Sequence, residues 1–348
     1  MDSKKIIALI AVIVIALGAV VAVVMMQESE NKELSVVYLK KNGYETQMVA
    51  EAKGFFSSAG VDVKGETVTG SGQDAVNKLL AGSVDIAATG QGPVANTLHE
   101  YADDLVIICG VNQSTGGQVW VAKKAGLVQY NGSNKDAVLE SFKTVSSNGD
   151  SPIKFGCQKD ATTASEFKGW LKFMGIPFND FGETAAGKYV TLVDYKANLL
   201  VSTLATGEID AMAASQPYPT QALNTVAGAY KVGSNADNGS YDVSMYVTTK
   251  KVYDEKKDLI EKFIKGLDKA SKFMADPANL AECKKICNDV INDEAAVDNA
   301  FAIAEWKTAW SDQMIDTLYK TCEKKKYTEI TKDMCRDKCL FRDFLTKL

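Results

Sequence analysis

The chain has 348 residues, 46% of them hydrophobic and 24% charged, enough to bury one large core or two ordinary ones and too apolar for a disordered chain. A net charge of -5 and a pI near 5.2 argue against a nucleic-acid partner, which needs a basic face. The only arginines, Arg336 and Arg342, stand near the C-terminus, so an anion bound elsewhere has to be held without a guanidinium fork.

Residues 6–26 form an uncharged apolar run, "IIALIAVIVIALGAVVAVVMM", long enough to cross a hydrocarbon core as a helix. Lys4 and Lys5 precede it and "QESENKE" follows, which places the N-terminus inside and the rest of the chain outside the membrane. No convincing small-x-small cleavage site accompanies the run, and no Cys follows it to take a lipid. Residues 1–33 therefore read as an uncleaved anchor and tether, with a cleaved signal as the alternative.

Past the anchor, strand and helix periods alternate. Strands are expected at 34–39, 61–66, 84–89 and 105–111, with helices starting near Tyr44, Gly72 and Pro93. A second set follows, with strands at 153–157, 189–195 and 209–214 and helices from Thr163, Lys196 and Pro217. Such βαβ spacing predicts two mostly parallel α/β lobes. "LLAGSVDIAATGQGP" in the first set is echoed by "LATGEIDAMAASQP" in the second, aligning Gly82 with Gly207, Asp85 with Asp210 and Pro93 with Pro217. The stretch 119–124 leaves the first lobe and 241–251 returns to it. The expected division is thus 34–124 plus 241–275 for lobe 1, 125–240 for an inserted lobe 2, and 276–348 for a helical, Cys-rich tail packing on lobe 1.

Ser71 with Asp74, and Thr163 with Glu166, have capping-box spacing, and Pro93 and Pro217 fall at helix openings. Each opening follows a strand, so unpaired N–H groups and positive dipole ends gather above the strand ends. Small side chains line them: Ser71, Gly72, Thr89, Gly90, Ser114, Thr115, Gly116, Thr162 and Ser215. Caps that merely end helices well account for each motif singly. Their convergence suits a small anion or a polar zwitterion.

The run "VAEAKGFFSSAGVDVKGETVTGSGQDAVNKLLAGSVDIAATGQGPVANTL" resembles the N-terminal lobe of the solute-binding proteins that serve nitrate, sulfonate and taurine ABC importers, and the likeness extends over roughly residues 34–250. The resemblance implies a two-lobed periplasmic-binding-protein fold of type II that closes on a small anionic solute and passes it to a permease and its ATPase, as a monomer with no cofactor and no metal. It implies ligand-facing residues in the loop 41–44 with Tyr44, at Ser71, Gly72 and Gln73, at Thr89, Gly90 and Gln91, at Ser114 and Thr115, at Gln158, Thr162 and Thr163, and at Ser215, Gln216 and Tyr218. The anchor and the Cys-rich tail depart from that family pattern. A membrane-tethered sensor, and pyrimidine binding or synthesis on the same fold, are the alternative functions.

Five of the seven cysteines, Cys283, Cys287, Cys322, Cys335 and Cys339, lie in the tail. Cys283/Cys287 and Cys335/Cys339 are spaced i, i+4, each pair on one helix face. Two antiparallel helices would allow the bridges Cys283–Cys339 and Cys287–Cys335, as an extracytoplasmic site permits. A four-thiolate metal or iron–sulfur site and free thiols are the alternatives. His99 is the only histidine and no G-x-S-x-G elbow occurs, so enzyme signals are poor.

Overall fold

The computed structural model describes residues 32–68 and 70–348. The apolar run 6–26 lies outside them, and among the described residues no helix is long and apolar enough to cross a membrane. In chain order the strands are β1 (Glu33–Leu39), β2 (Asp62–Val68), β3 (Ile86–Gly90), β4 (Leu105–Ser114), β5 (Gln118–Ala122), β6 (Ile153–Cys157), β7 (Phe178–Asn179), β8 (Val190–Asp194), β9 (Ala211–Ser215), β10 (Tyr230–Ser234), β11 (Asp242–Thr249) and β12 (Ala304–Ala309). The α-helices are α1 (Glu45–Ala52), α2 (Phe55–Ala59), α3 (Gly72–Leu80), α4 (Gln91–Tyr101), α5 (Lys135–Val145), α6 (Thr162–Met174), α7 (Leu200–Thr206), α8 (Tyr218–Thr225), α9 (Lys250–Ala275), α10 (Leu280–Ile291), α11 (Glu294–Ile303), α12 (Asp312–Lys324), α13 (Lys332–Asp337) and α14 (Arg342–Leu345).

Two mixed sheets result, with strand orders β12-β4-β11-β3-β1-β2 and β10-β5-β9-β6-β8-β7. Within each, the βα units pair in parallel, β1 with β2 and β3, and β6 with β8 and β9. The strands next to the crossing segments, β5 and β11, run antiparallel to β9 and β3. Together they make the two-lobed type II periplasmic-binding-protein fold.

The repeated half-sequence is repeated structure. Gly82 and Gly207 both end a helix with φ of 71° and 79°, the left-handed region where glycine carries no Cβ penalty. The Asp85 carboxylate then accepts the Ser35 amide at 2.8 Å, and that of Asp210 accepts the Lys154 amide at 2.9 Å. In each lobe an aspartate thus fastens the entry of one parallel strand to the start of its neighbour.

Lobe 1 closes its core on apolar side chains such as Val36, Ile86, Ile107, Tyr246 and Phe263. The second sheet carries a core on each face, one around Trp120, Phe155 and Phe167 and one around Val121, Leu204 and Met212. Trp120 and Val121 point to opposite faces because side chains alternate along a strand. That alternation places β5 in the second sheet, so the outgoing crossing lies at 115–117, not in 119–124. Asn235 binds the crossings side by side: its Oδ1 accepts the amides of Gly116 and Gln118 at 3.0 and 3.2 Å, and its Nδ2 donates to Asp242 at 2.9 Å.

The tail differs from the expectation in two respects. "FAIAEWKTAW" is not one helix: α11 ends at Ile303 and β12 joins the open edge of β4, whose backbone groups would otherwise be unpaired. The bridges Cys283–Cys339 and Cys287–Cys335 are not formed, since all seven cysteines are free and buried. The two i, i+4 pairs face different neighbours. Burial and the nearby Glu45 carboxylate raise the Cys287 thiol pKa. Cys339 Sγ donates to the Ile108 carbonyl at 3.4 Å, and the Cys335 carbonyl accepts the Trp310 indole N–H at 3.2 Å.

Candidate functional site

Loops that follow β1, β3, β6 and β9 converge where the lobes meet, and they enclose two adjoining cavities of about 60 Å³ each. Asn42, Gln118, Ser215, Asp242 and Ser244 line both. Lys41, Tyr44, Gly72, Gly90, Gln91, Thr162 and Thr163 complete the first. Asn112, Ser114 and Gln216, with Ala300, Ile303 and Trp306 from the tail, complete the second.

Among the residues that the sequence singles out, Tyr44, Gly72, Gly90, Gln91, Ser114, Thr162, Thr163, Ser215 and Gln216 are brought to these cavities. The others, Thr89 excepted, have nearby structural partners. Ser71 caps α3, its hydroxyl accepting the Gln73 amide while Asp74 accepts the Ser71 amide, so this capping box forms as expected. Gln73 pairs with Asn77 and Asn96, Thr115 donates to the Ser240 carbonyl, and Gln158 accepts the Ala197 amide. Tyr218 packs at the edge of a lobe 2 core. Thr89 is fully buried with its Oγ1 unpartnered, and it faces Gly72 so closely that a Cβ there would lie 2.3 Å from the hydroxyl. The second capping box does not form. Ala161 is the N-cap of α6, and the Glu166 carboxylate turns instead to Lys324, 2.8 Å away in the tail.

Charges at the site are few and strongly perturbed. The Lys41 Nζ donates to Ser215 Oγ across the lobe boundary at 3.3 Å. Burial pulls the lysine pKa down to about 8, against the opposing pull of the Asp242 and Asp74 carboxylates. Burial pushes Asp242 up to about 7 and Glu166 adds to the rise, while amide donors from Asn235, Gln118 and Gln91 oppose it. Glu45, beneath the loop, is likewise pushed up to about 7 by burial although it accepts the Gly43 amide at 2.7 Å. Such shifts arise where charge is kept away from water, which is commonest at functional sites. Among the described residues no group of three or more His, Cys, Asp or Glu side chains is arranged to hold a metal.

Asn42 and Lys41 lie in the expected ligand-facing loop 41–44, whereas Asp242, Gln118, Asn112 and the tail residues were not legible as site residues. Gln118 did carry a signal, a polar side chain heading the apolar strand "QVWVA". The tail residues carried none, because only strand pairing brings them beside the cleft.

Residues 27–288 match the NMT1-like family. The chain belongs to that family. The family match takes in β1 to β11, whereas α11 and β12 lie beyond it. No curated protein matches the chain. Solved structures share the fold at low identity. The alkanesulfonate-binding protein SsuA of Xanthomonas axonopodis pv. citri, bound to MOPS, is 14% identical with a TM-score of 0.67 over 88% of this chain and 98% of its own. The periplasmic nitrate-binding protein NrtA of Synechocystis PCC 6803 is 14% identical with a TM-score of 0.63 over 88% of each chain. The Candida albicans CA3427 gene product is 10% identical with a TM-score of 0.66 over 88% of this chain and 94% of its own.

Proposed function

We propose that this NMT1-like chain is the extracytoplasmic solute-binding protein of an ABC importer, held to the membrane by residues 6–26, and that it captures a small organic anion of the alkylsulfonate or taurine class between its lobes. The observation that carries the reading is Lys41. Its ammonium stands half-buried at the lobe boundary beside the openings of α3, α4 and α6, with a neutral hydroxyl as its hydrogen-bond partner. A partly desolvated cation next to oriented amides favours an anion, because charge-assisted hydrogen bonds strengthen where water is excluded. The sulfonate- and nitrate-binding proteins among the structural neighbours support the same direction. Closure rotates the lobes about the paired crossings at 115–117 and 235–241, and the closed form is the one a permease reads. The protein acts as a monomeric carrier and not as an enzyme.

Thermal-shift and calorimetric titration against alkanesulfonates, taurine, nitrate and a neutral pyrimidine test the reading. An anion that binds the folded state raises the melting temperature by mass action, and Lys41→Met abolishes that rise. Stabilisation by the pyrimidine with none from any anion would replace the anion assignment.

A further inference from the structure

We infer that the C-terminal segment 294–309, beyond the family match, builds one wall of the ligand site, and that Ile303 and Trp306 on that wall select for the carbon portion of the ligand. The inference deepens the anion-carrier reading and rests on it. The second cavity has two unlike sides. Asn112, Ser114 and Asp242 present polar atoms from the lobe 1 sheet, while Ile303 and Trp306 present half-buried apolar surface from the tail.

That apolar side is held firmly. β12 pairs Trp306 with Asn112 and Ala304 with Ser114. The Asn42 side-chain amide, on the loop that carries Lys41, donates to the Ala296 carbonyl of α11 at 2.6 Å. The Trp306 ring lies 5.3 Å from that of Phe301. Ile303 also reaches the crossing segment, where a Cβ on Gly117 would sit 3.7 Å from its Cδ1. An inorganic oxyanion at Lys41 leaves water against this wall. A short carbon chain attached to the anionic head extends into the second cavity and removes apolar surface from water on both sides. The assigned class is therefore a sulfonate carrying a short aliphatic chain, with inorganic oxyanions disfavoured.

Calorimetry of the full chain with nitrate and with methane-, ethane-, propane- and butanesulfonate tests this. The expected result is a Kd that falls about threefold to fourfold per added methylene until the cavity is full, the increment for burying one such group. Ile303→Ser and, separately, Trp306→Leu flatten the series, the gain per added methylene falling towards none. Circular dichroism identifies a variant that has not folded, and the other variant with the wild-type series then decides. A flat wild-type series, or a series unchanged in both variants, overturns the inference and leaves the carrier reading standing. Failure of every anion to bind overturns both.

Discussion

The amide of Gly92, near the start of α4 in lobe 1, donates to Thr162 Oγ1 at the start of α6 in lobe 2, at 3.1 Å. Two helix openings that the sequence offers to a ligand thus meet each other, and the hydroxyl of one lobe satisfies an orphan donor of the other. Glycine is required for that approach, since a Cβ on residue 92 would stand 2.6 Å from Thr162 Cα and 2.8 Å from its N. Both are backbone atoms, which cannot turn aside. Gly92→Ala leaves α4 itself intact, alanine being the better helix former, yet keeps the lobes from closing. The expected outcome is a larger radius of gyration with saturating ligand and at least a tenfold loss of affinity, of the order of 1.4 kcal/mol. Unchanged scattering and affinity would show that closure does not pass through this contact.

A second tie crosses the lobes from the tail. Glu166 in α6 is 1% exposed and receives Lys324 at 2.8 Å, and the same ammonium donates to Ser240 on the return crossing at 3.0 Å. Removing the lysine strands a buried carboxylate, which costs more than the pair contributes. Because Lys324 is itself 24% exposed, the loss from Lys324→Met is about 2 kcal/mol, below the roughly 3–5 kcal/mol of fully buried pairs. Lys324→Met/Glu166→Gln recovers most of it. Chemical denaturation of the three proteins checks the order, and a double variant no more stable than the single one would refute the charge argument.

The repeated βα units were legible because their signals are local. β6 falls at Ile153–Cys157, as the run "IKFGC" reads, and Ser71 and Asp74 form their capping box within four residues. Glu166 shows the limit. Its spacing from Thr163 satisfies the same local rule, yet a lysine 158 residues away takes the carboxylate. β12 and the residues Asn112, Asp242 and Trp306 escaped notice for a related reason: they are neighbours only through the pairing of β4 with β11 and β12. Sequence periodicity records which face a strand buries, not which distant strand lies beside it.

The cysteines yield a prediction opposite to the one their spacing suggests. Cys322 in α12 and Cys335 in α13 are fully buried and close enough for each to perturb the other, which raises the pKa of Cys322 and lowers that of Cys335. Non-reducing peptide mapping of the protein exported to an oxidising compartment is expected to find no link from Cys283 or Cys287 to Cys335 or Cys339. Any bridge that does form joins Cys322 to Cys335, closing a short loop worth about 3 kcal/mol. A Cys283–Cys339 peptide would contradict the separate surroundings of the two i, i+4 pairs described above.

Glu45 sets the sign of a pH dependence. Its carboxyl is buried, with Oε1 unpartnered, and its pKa is raised from 4.5 to about 7. The folded state therefore holds the proton more tightly than the unfolded chain. The resulting stability is full below about pH 4.5 and is lost as pH rises through about 7, following the linkage between proton binding and folding. Asp242 acts in the same sense, raised from 3.8 to about 7. Lys41 acts in the opposite sense at higher pH: lowered from 10.5 to about 8, it contributes fully above the upper value and loses that contribution as pH falls through the lower. Near neutrality all three groups are desolvated at a cost to the folded state, and a bound anion offsets the Lys41 share alone. Glu45→Gln keeps an acceptor for the Gly43 amide and removes one of those charges. The difference in unfolding free energy between this variant and the parent, from chemical denaturation, is expected to grow in the variant's favour from pH 5 to pH 8, reaching about 1–3 kcal/mol. A difference that stays constant across that range, or shrinks, would show that Glu45 titrates at its ordinary value and that the buried carboxyl does not set the pH response.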